Sequence, residues 1–186
     1  INDVTPFPLR KQFNIPKNKK IVLYQGGMQE GRGLFKLLDA FKNVENAMLI
    51  MIGDGKERQN LIDYHYEIGV TDKVIFIDRV PYKQLRSYTK SADIGIQFLE
   101  NTNFNHYSAS SNKLFEYIMA HVPVIGSNLP EIERVIENEE IGIVVEEGST
   151  KSLESALLKM INNDELRMKF KENTIKAKTN YNWENE

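Results

Sequence analysis

Two cationic side chains, Arg32 and Lys113, each stand in a stretch that leaves backbone amides open, a combination suited to gripping phosphate. Arg32 lies near the end of YQGGMQEGRG (residues 24–33), where Gly26 and Gly27 follow an apolar run. Glycine weakens regular structure unless the chain must bend or approach something closely, and a guanidinium carries forked donors that match phosphate oxygens. The spacing fits neither the dinucleotide fingerprint nor the P-loop. The same turn would serve equally as a chain reversal beside a solvated arginine. Lys113 belongs to a second stretch, ENTNFNHYSASSNKLFEY (residues 100–117), which leaves an apolar run and enters a helical pattern with Asn112 and Lys113 in its first turn. The amides of residues 111–114, the positive end of the helix dipole and the ammonium together suit a diphosphate. A Ser-rich helix cap is the plainer alternative. Glu116, three residues on, is either a partly exposed surface carboxylate or an acceptor for a ligand hydroxyl such as a ribose diol.

Other chemistries find little support. His65, His106 and His121 lack metal-ligand spacing. The first and last read as surface or structural residues, and His106 as a weaker ligand contact within the second stretch. Ser108, Ser110 and Ser111 sit in no G-x-S-x-G elbow. With no D-x-D pair, neither a metal nor a cofactor is expected. The chain has no cysteine, which excludes disulfides and a thiol nucleophile. A net charge of -2 gives no footprint for nucleic acid. No apolar run approaches the roughly 18 to 20 residues that span a bilayer, and the opening INDVTPFPLRKQF lacks a signal-peptide core. A cytoplasmic protein is expected.

The elements that must position these groups follow from periodicity. Short apolar runs at residues 21–25, 47–53, 73–78, 93–98, 122–127 and 142–146 read as buried strands. Helical patterns separate them. Leu34, Leu37, Leu38 and Phe41 form one stripe, Leu61 and Ile62 a second helix ended at Gly69, and Leu85 with Tyr88 a short third. Leu114, Phe115, Ile118 and Met119 mark a strong helix that Pro123 keeps from continuing. Three further helical segments follow to the end. Alternation of this kind predicts an α/β fold with a doubly wound, mostly parallel six-stranded sheet, Rossmann-like, binding ligands at the carboxyl ends of its strands.

The segments GGMQEGRG, IGDG, VIFIDRVPYKQLRSYTKSADIGIQF and SNKLFEYIMAHVPVIGSNLPEIERVI resemble the C-terminal, donor-binding domain of glycosyltransferase family 4, retaining enzymes of GT-B architecture. The similarity runs from about Lys20 to about Tyr181. It implies that residues 20–186 form a Rossmann-like nucleotide-sugar-binding domain and that residues 1–19 are the remainder of an interdomain linker. The implied partners are a nucleotide sugar, UDP-linked by preference, and an N-terminal acceptor-binding domain of the same chain. Without that domain this part would be inactive. Peripheral association of the full-length enzyme with the membrane's inner face is compatible with the resemblance, and the acceptor would be a polysaccharide or glycolipid.

Position by position, the family's Gly-Arg and Lys-Gly pairs fall on Gly26-Gly27 and Arg32-Gly33. Arg32 thus takes the place of the diphosphate-binding lysine, and Gly27 that of the arginine. Arg32 and Lys113 would act on the leaving group. Glu116 matches the second Glu of the E-x7-E motif, which holds the ribose, while the first falls on Ser108. Ser111, Asn112 and Leu114 lie at the helix start that cradles the diphosphate, and Arg79, Val80 and Tyr82 in the segment that flanks the base. Two other readings share the resemblance: a noncatalytic nucleotide-binding module, and a GT-B-like UDP-sugar epimerase.

Overall fold

The computed structural model describes residues 4–101 and 112–179. Six strands, β1 (Lys20–Gln25), β2 (Ala47–Ile52), β3 (Val74–Ile77), β4 (Ile94–Gln97), β5 (Val124–Ser127) and β6 (Gly142–Val145), form one sheet in the order β3-β2-β1-β4-β5-β6. Every strand pair is parallel. The expected strands are all present, with ends shifted by no more than two residues. The fold class is therefore α/β, doubly wound and Rossmann-like.

Helices α1 (Leu9–Gln12), α2 (Leu34–Phe41), α3 (Arg58–Glu67), α4 (Tyr82–Thr89), α5 (Asn112–Ala120), α6 (Pro130–Asn138), α7 (Thr150–Asn162) and α8 (Asp164–Ala177) cover the sheet. Successive strand residues point to opposite faces, so two cores result. Val22 and Tyr24 meet Leu37, Leu38, Leu61 and Leu157 on one face. Ile21 and Leu23 meet Tyr88, Leu114, Tyr117 and Ile132 on the other. Both faces being covered, the strands are apolar throughout, which is why they read as continuous runs.

Chain order reverses between β1 and β4. Crossovers leave β1 in one direction towards β2 and β3, and in the other towards β5 and β6. The two neighbouring loops consequently diverge at the carboxyl ends of β1 and β4 and open a crevice there. The first loop and the start of α5 both belong to this edge.

One feature departs from the sequence expectations. The buried stripe of α5 is Lys113, Leu114, Tyr117 and Ile118, while Phe115 and Met119 are only half-buried. The helix is turned so that the Tyr117 ring lies on Gly95, where an added Cβ would come within 2.6 Å of it. Before β1, the chain is packed on the sheet from Phe7 onward. Phe7 stacks on Tyr88 at 4.0 Å, Leu9 is buried, and Arg10 pairs with Asp93 at 2.9 Å. Asp93 also accepts the Ile21 N–H at 2.7 Å, which ties the start of β1 to the turn before β4.

Candidate functional site

The first loop is held by the loop that follows β2. Gly26, with φ +127°, donates its N–H to the Ile52 carbonyl at 2.9 Å, and Met28 donates to Asp54 at 2.8 Å. A Cβ on Gly53 would lie 1.9 Å from the Gly26 carbonyl oxygen. Gly53 thus serves the close passage of two backbones, and the IGDG turn is a support for the first loop. Gly27 is different, since the nearest described atoms to a Cβ there belong to the flexible Gln29 side chain, at 3.8 Å, an ordinary contact.

Lys113 enters this loop from α5. A Cβ on Gly26 would come within 3.3 Å of Lys113 Cε and 3.4 Å of Nζ, so the absent side chain of Gly26 is the space the lysine occupies. The ammonium stands over the Tyr24 ring, 4.1 Å from its centroid, a cation–π contact. Tyr24 in turn donates its hydroxyl proton to the Gly27 carbonyl at 2.6 Å. Burial pushes the Tyr24 hydroxyl up to about 12, with Arg32 opposing, so the phenol stays neutral. Among the described residues neither Lys113 nor Arg32 makes an ion pair. Burial first, and the Arg32 charge second, hold the Lys113 amine down to about 7, with Glu116 pulling the other way. Two cations placed to repel each other, with no ion-pair partner among the described residues, suit a ligand anion.

Glu116 follows one turn along α5 and is half-buried. Its Oε2 accepts from Gln25 Nε2 at 2.6 Å. Burial raises its carboxyl above the usual range, while the Gln25 hydrogen bond and Lys113 lower it. What fixes α5 over the switch point is Tyr117, whose O–H is shared between the carbonyls of Leu23 at 2.9 Å and Ile96 at 3.2 Å, on the two diverging strands.

The exit from β4 is stitched to its surroundings. Glu100 donates its N–H to the Gly31 carbonyl at 2.9 Å and pairs with Lys36 of α2. Leu99 donates to Ser127 Oγ at 2.6 Å. The two suspected loops therefore meet, with Gly26, Arg32, Lys113 and Glu116 assembled at one crevice. Arg79 is exposed, Val80 half-buried and Tyr82 exposed beyond β3. Asn112 is exposed, whereas the Leu114 side chain belongs to the core, leaving its main chain for any ligand. Ser108, Ser111 and His106 lie outside the described residues.

Three residues of this edge carried no signal in the sequence reading. Gln25 and Tyr117 each look like ordinary members of apolar runs. Gln97 is wholly buried at the end of β4, and neither atom of its amide has a hydrogen-bond partner. Among the described residues no group of three or more His, Asp or Glu side chains converges as metal ligands, and no helix is long and apolar enough to cross a membrane.

Residues 7–177 match the family described as glycosyl transferases group 1. Among curated proteins, the phosphatidyl-myo-inositol mannosyltransferase of Mycobacterium leprae is 28% identical over 173 residues, covering 90% of this chain and 44% of that protein. The chain spans less than half the length of that relative. Among solved structures, a sucrose-phosphate synthase from Thermosynechococcus elongatus superposes with a TM-score of 0.84 at 22% identity, over 97% of this chain and 46% of the other. HepE from Anabaena, solved in complex with UDP-glucose, superposes with a TM-score of 0.77 at 16% identity, over 92% and 47%.

Proposed function

Because the chain belongs to the glycosyl transferases group 1 family, we propose that it is the half of such an enzyme that binds a nucleotide sugar donor, in the manner of glycosyltransferase family 4. The observation that carries this reading is the pair Arg32 and Lys113, two cations with no ion-pair partner among the described residues at the switch point of the sheet. A diphosphate fits the crevice between them, and Glu116 is placed to accept from the ribose hydroxyls. UDP is the favoured nucleotide, supported by HepE, which has this fold and was solved with UDP-glucose. The lipid acceptor named for the mycobacterial relative supports a glycolipid or polysaccharide acceptor.

In the proposed reaction the bond between the sugar anomeric carbon and the diphosphate oxygen breaks, and negative charge gathers on the departing diphosphate. Arg32 and Lys113 offset that charge from fixed positions, so little reorganisation is needed as it develops. The acceptor hydroxyl attacks on the face the diphosphate leaves and gives its proton to the departing diphosphate oxygen, which retains the anomeric configuration. The donor is a substrate, and the reaction as proposed calls for no metal or cofactor. Arg79, Val80 and Tyr82, near the exposed end of β3, flank the base.

Calorimetric titration of UDP, GDP and a UDP sugar into this chain tests the reading. Saturable binding of one nucleotide is expected, weakened about tenfold or more in both Arg32→Ala and Glu116→Ala, the loss of one charge-assisted hydrogen bond each. A folded chain that binds none of the three, or binding indifferent to Arg32→Ala, would overturn it.

A further inference from the structure

The carboxylate of Glu116 is not oriented by its own helix. Gln25 reaches it from the last position of β1, donating Nε2–H to Oε2 at 2.6 Å. The other end of the Gln25 amide is held as well, since its Oε1 accepts the hydroxyl proton of Thr89, at the last position of α4, at 2.7 Å. Gln25 and Thr89 are each 1% exposed, so water does not compete for these bonds. The amide orientation follows from the chemistry. Only with the nitrogen towards Glu116 does an ionised carboxylate find a donor, and only then does the amide oxygen face a group able to donate. Thr89 could otherwise give its proton to the Leu85 carbonyl at 2.9 Å, one turn back in its own helix. The bond to Gln25 is the shorter of the two.

From this chain of bonds we infer that Gln25 and Thr89 are positioning residues for nucleotide recognition, locking one oxygen of Glu116 so that the other is presented to a ribose hydroxyl. Glu116 Oε1 has no hydrogen-bond partner among the described residues. The inference rests on the donor-binding reading of Glu116 and adds what makes that carboxylate selective. A half-buried glutamate free to rotate would exchange both oxygens with water and accept from any nearby donor. Held by Gln25, it offers one acceptor in one direction, and buried hydrogen bonds of that kind discriminate strongly against a ligand lacking the matching hydroxyl. The arrangement also spans three elements, β1, α4 and α5, so displacement of any of them would be felt at the carboxylate.

The experiment compares affinities for UDP and 2′-deoxy-UDP, or the guanosine pair if GDP is the nucleotide bound, in wild type, Gln25→Leu and Thr89→Val. Wild type is expected to prefer the ribonucleotide by about tenfold. Gln25→Leu should lose most of that preference by weakening the ribonucleotide while leaving the deoxy form within about twofold, and Thr89→Val, nearly isosteric, should move the same way by less. A merely structural role would weaken both nucleotides alike. Equal weakening in both variants, or undiminished preference in Gln25→Leu, overturns the inference while leaving the donor-binding reading intact. Absence of any ribose preference in a wild type that binds the nucleotide would overturn both this inference and the ribose role of Glu116.

Discussion

Lys113 is the residue where stability and function conflict most openly. An ammonium packed against the Tyr24 ring and Gly26, with Arg32 nearby, has been taken out of water without an ion pair among the described residues to replace it. Each unit by which its pKa falls below that of the unfolded lysine costs about 1.4 kcal/mol of folding free energy when the amine is protonated. The sign is unambiguous. Between about 7 and the ordinary lysine value of 10.5 the unfolded chain holds more protons than the folded one, so stability from this residue rises with pH across that window. The cost is complete below pH 7 and gone above the unfolded value. Lys113→Met should therefore unfold at a higher temperature than wild type near pH 6.5, and the gap should close as pH approaches 10. The same variant should bind nucleoside diphosphate at least about tenfold more weakly. Thermal melts across pH settle the first part: a gap that does not change with pH would mean the amine is not its source.

At the scale of elements, α5 carries both Lys113 and Glu116, and its seat on the sheet decides where they stand. That seat is the Tyr117 ring against Gly95, with the hydroxyl shared between β1 and β4 carbonyls. Gly95→Ala would push a Cβ to 2.6 Å from the ring. Because neither the strand nor the ring can yield cheaply, a loss of about 2 kcal/mol is expected in urea denaturation, together with weaker nucleotide binding as α5 shifts. Tyr117→Leu removes the clash and the hydrogen bonds together. The double variant should then lose less than the sum of the two single losses, the mark of residues in contact. Additive losses would show that the ring does not seat the helix. This dependence is also why α5 was turned from its expected orientation: local periodicity allows Phe115 or Tyr117 to face inward, and the gap at Gly95 selects Tyr117.

At the scale of the whole molecule, the chain spans 44% of the length of the mycobacterial relative. Glycosyl transfer requires the reacting centre to be closed off from water and an acceptor held against the donor. The chain by itself should bind its nucleotide yet transfer no sugar from a UDP sugar to a lipid or polysaccharide acceptor in a radiolabel assay; transfer by this chain alone would overturn that expectation. Much of the molecule was legible in its residues. The six apolar runs of strand length, the stripe from Leu34 to Phe41 and the Gly69 stop depend on interactions between near neighbours, and burial on both sheet faces writes itself into a continuous apolar string. Arg32, Lys113 and Glu116 could be singled out because charges beside glycines or inside an apolar helix are conspicuous. What they touch could not. Gln25 meets Glu116 across 91 positions of sequence and Thr89 across 64, pairings created only when the order of strands reverses beside β1. Gly26 as the seat of a lysine, Gly53 as the passage for a second backbone, and Gln97 buried with its amide unpartnered belong to the same class. Periodicity records which side of an element is buried, while the identity of the group on the other side of the contact is decided by how the elements are stacked.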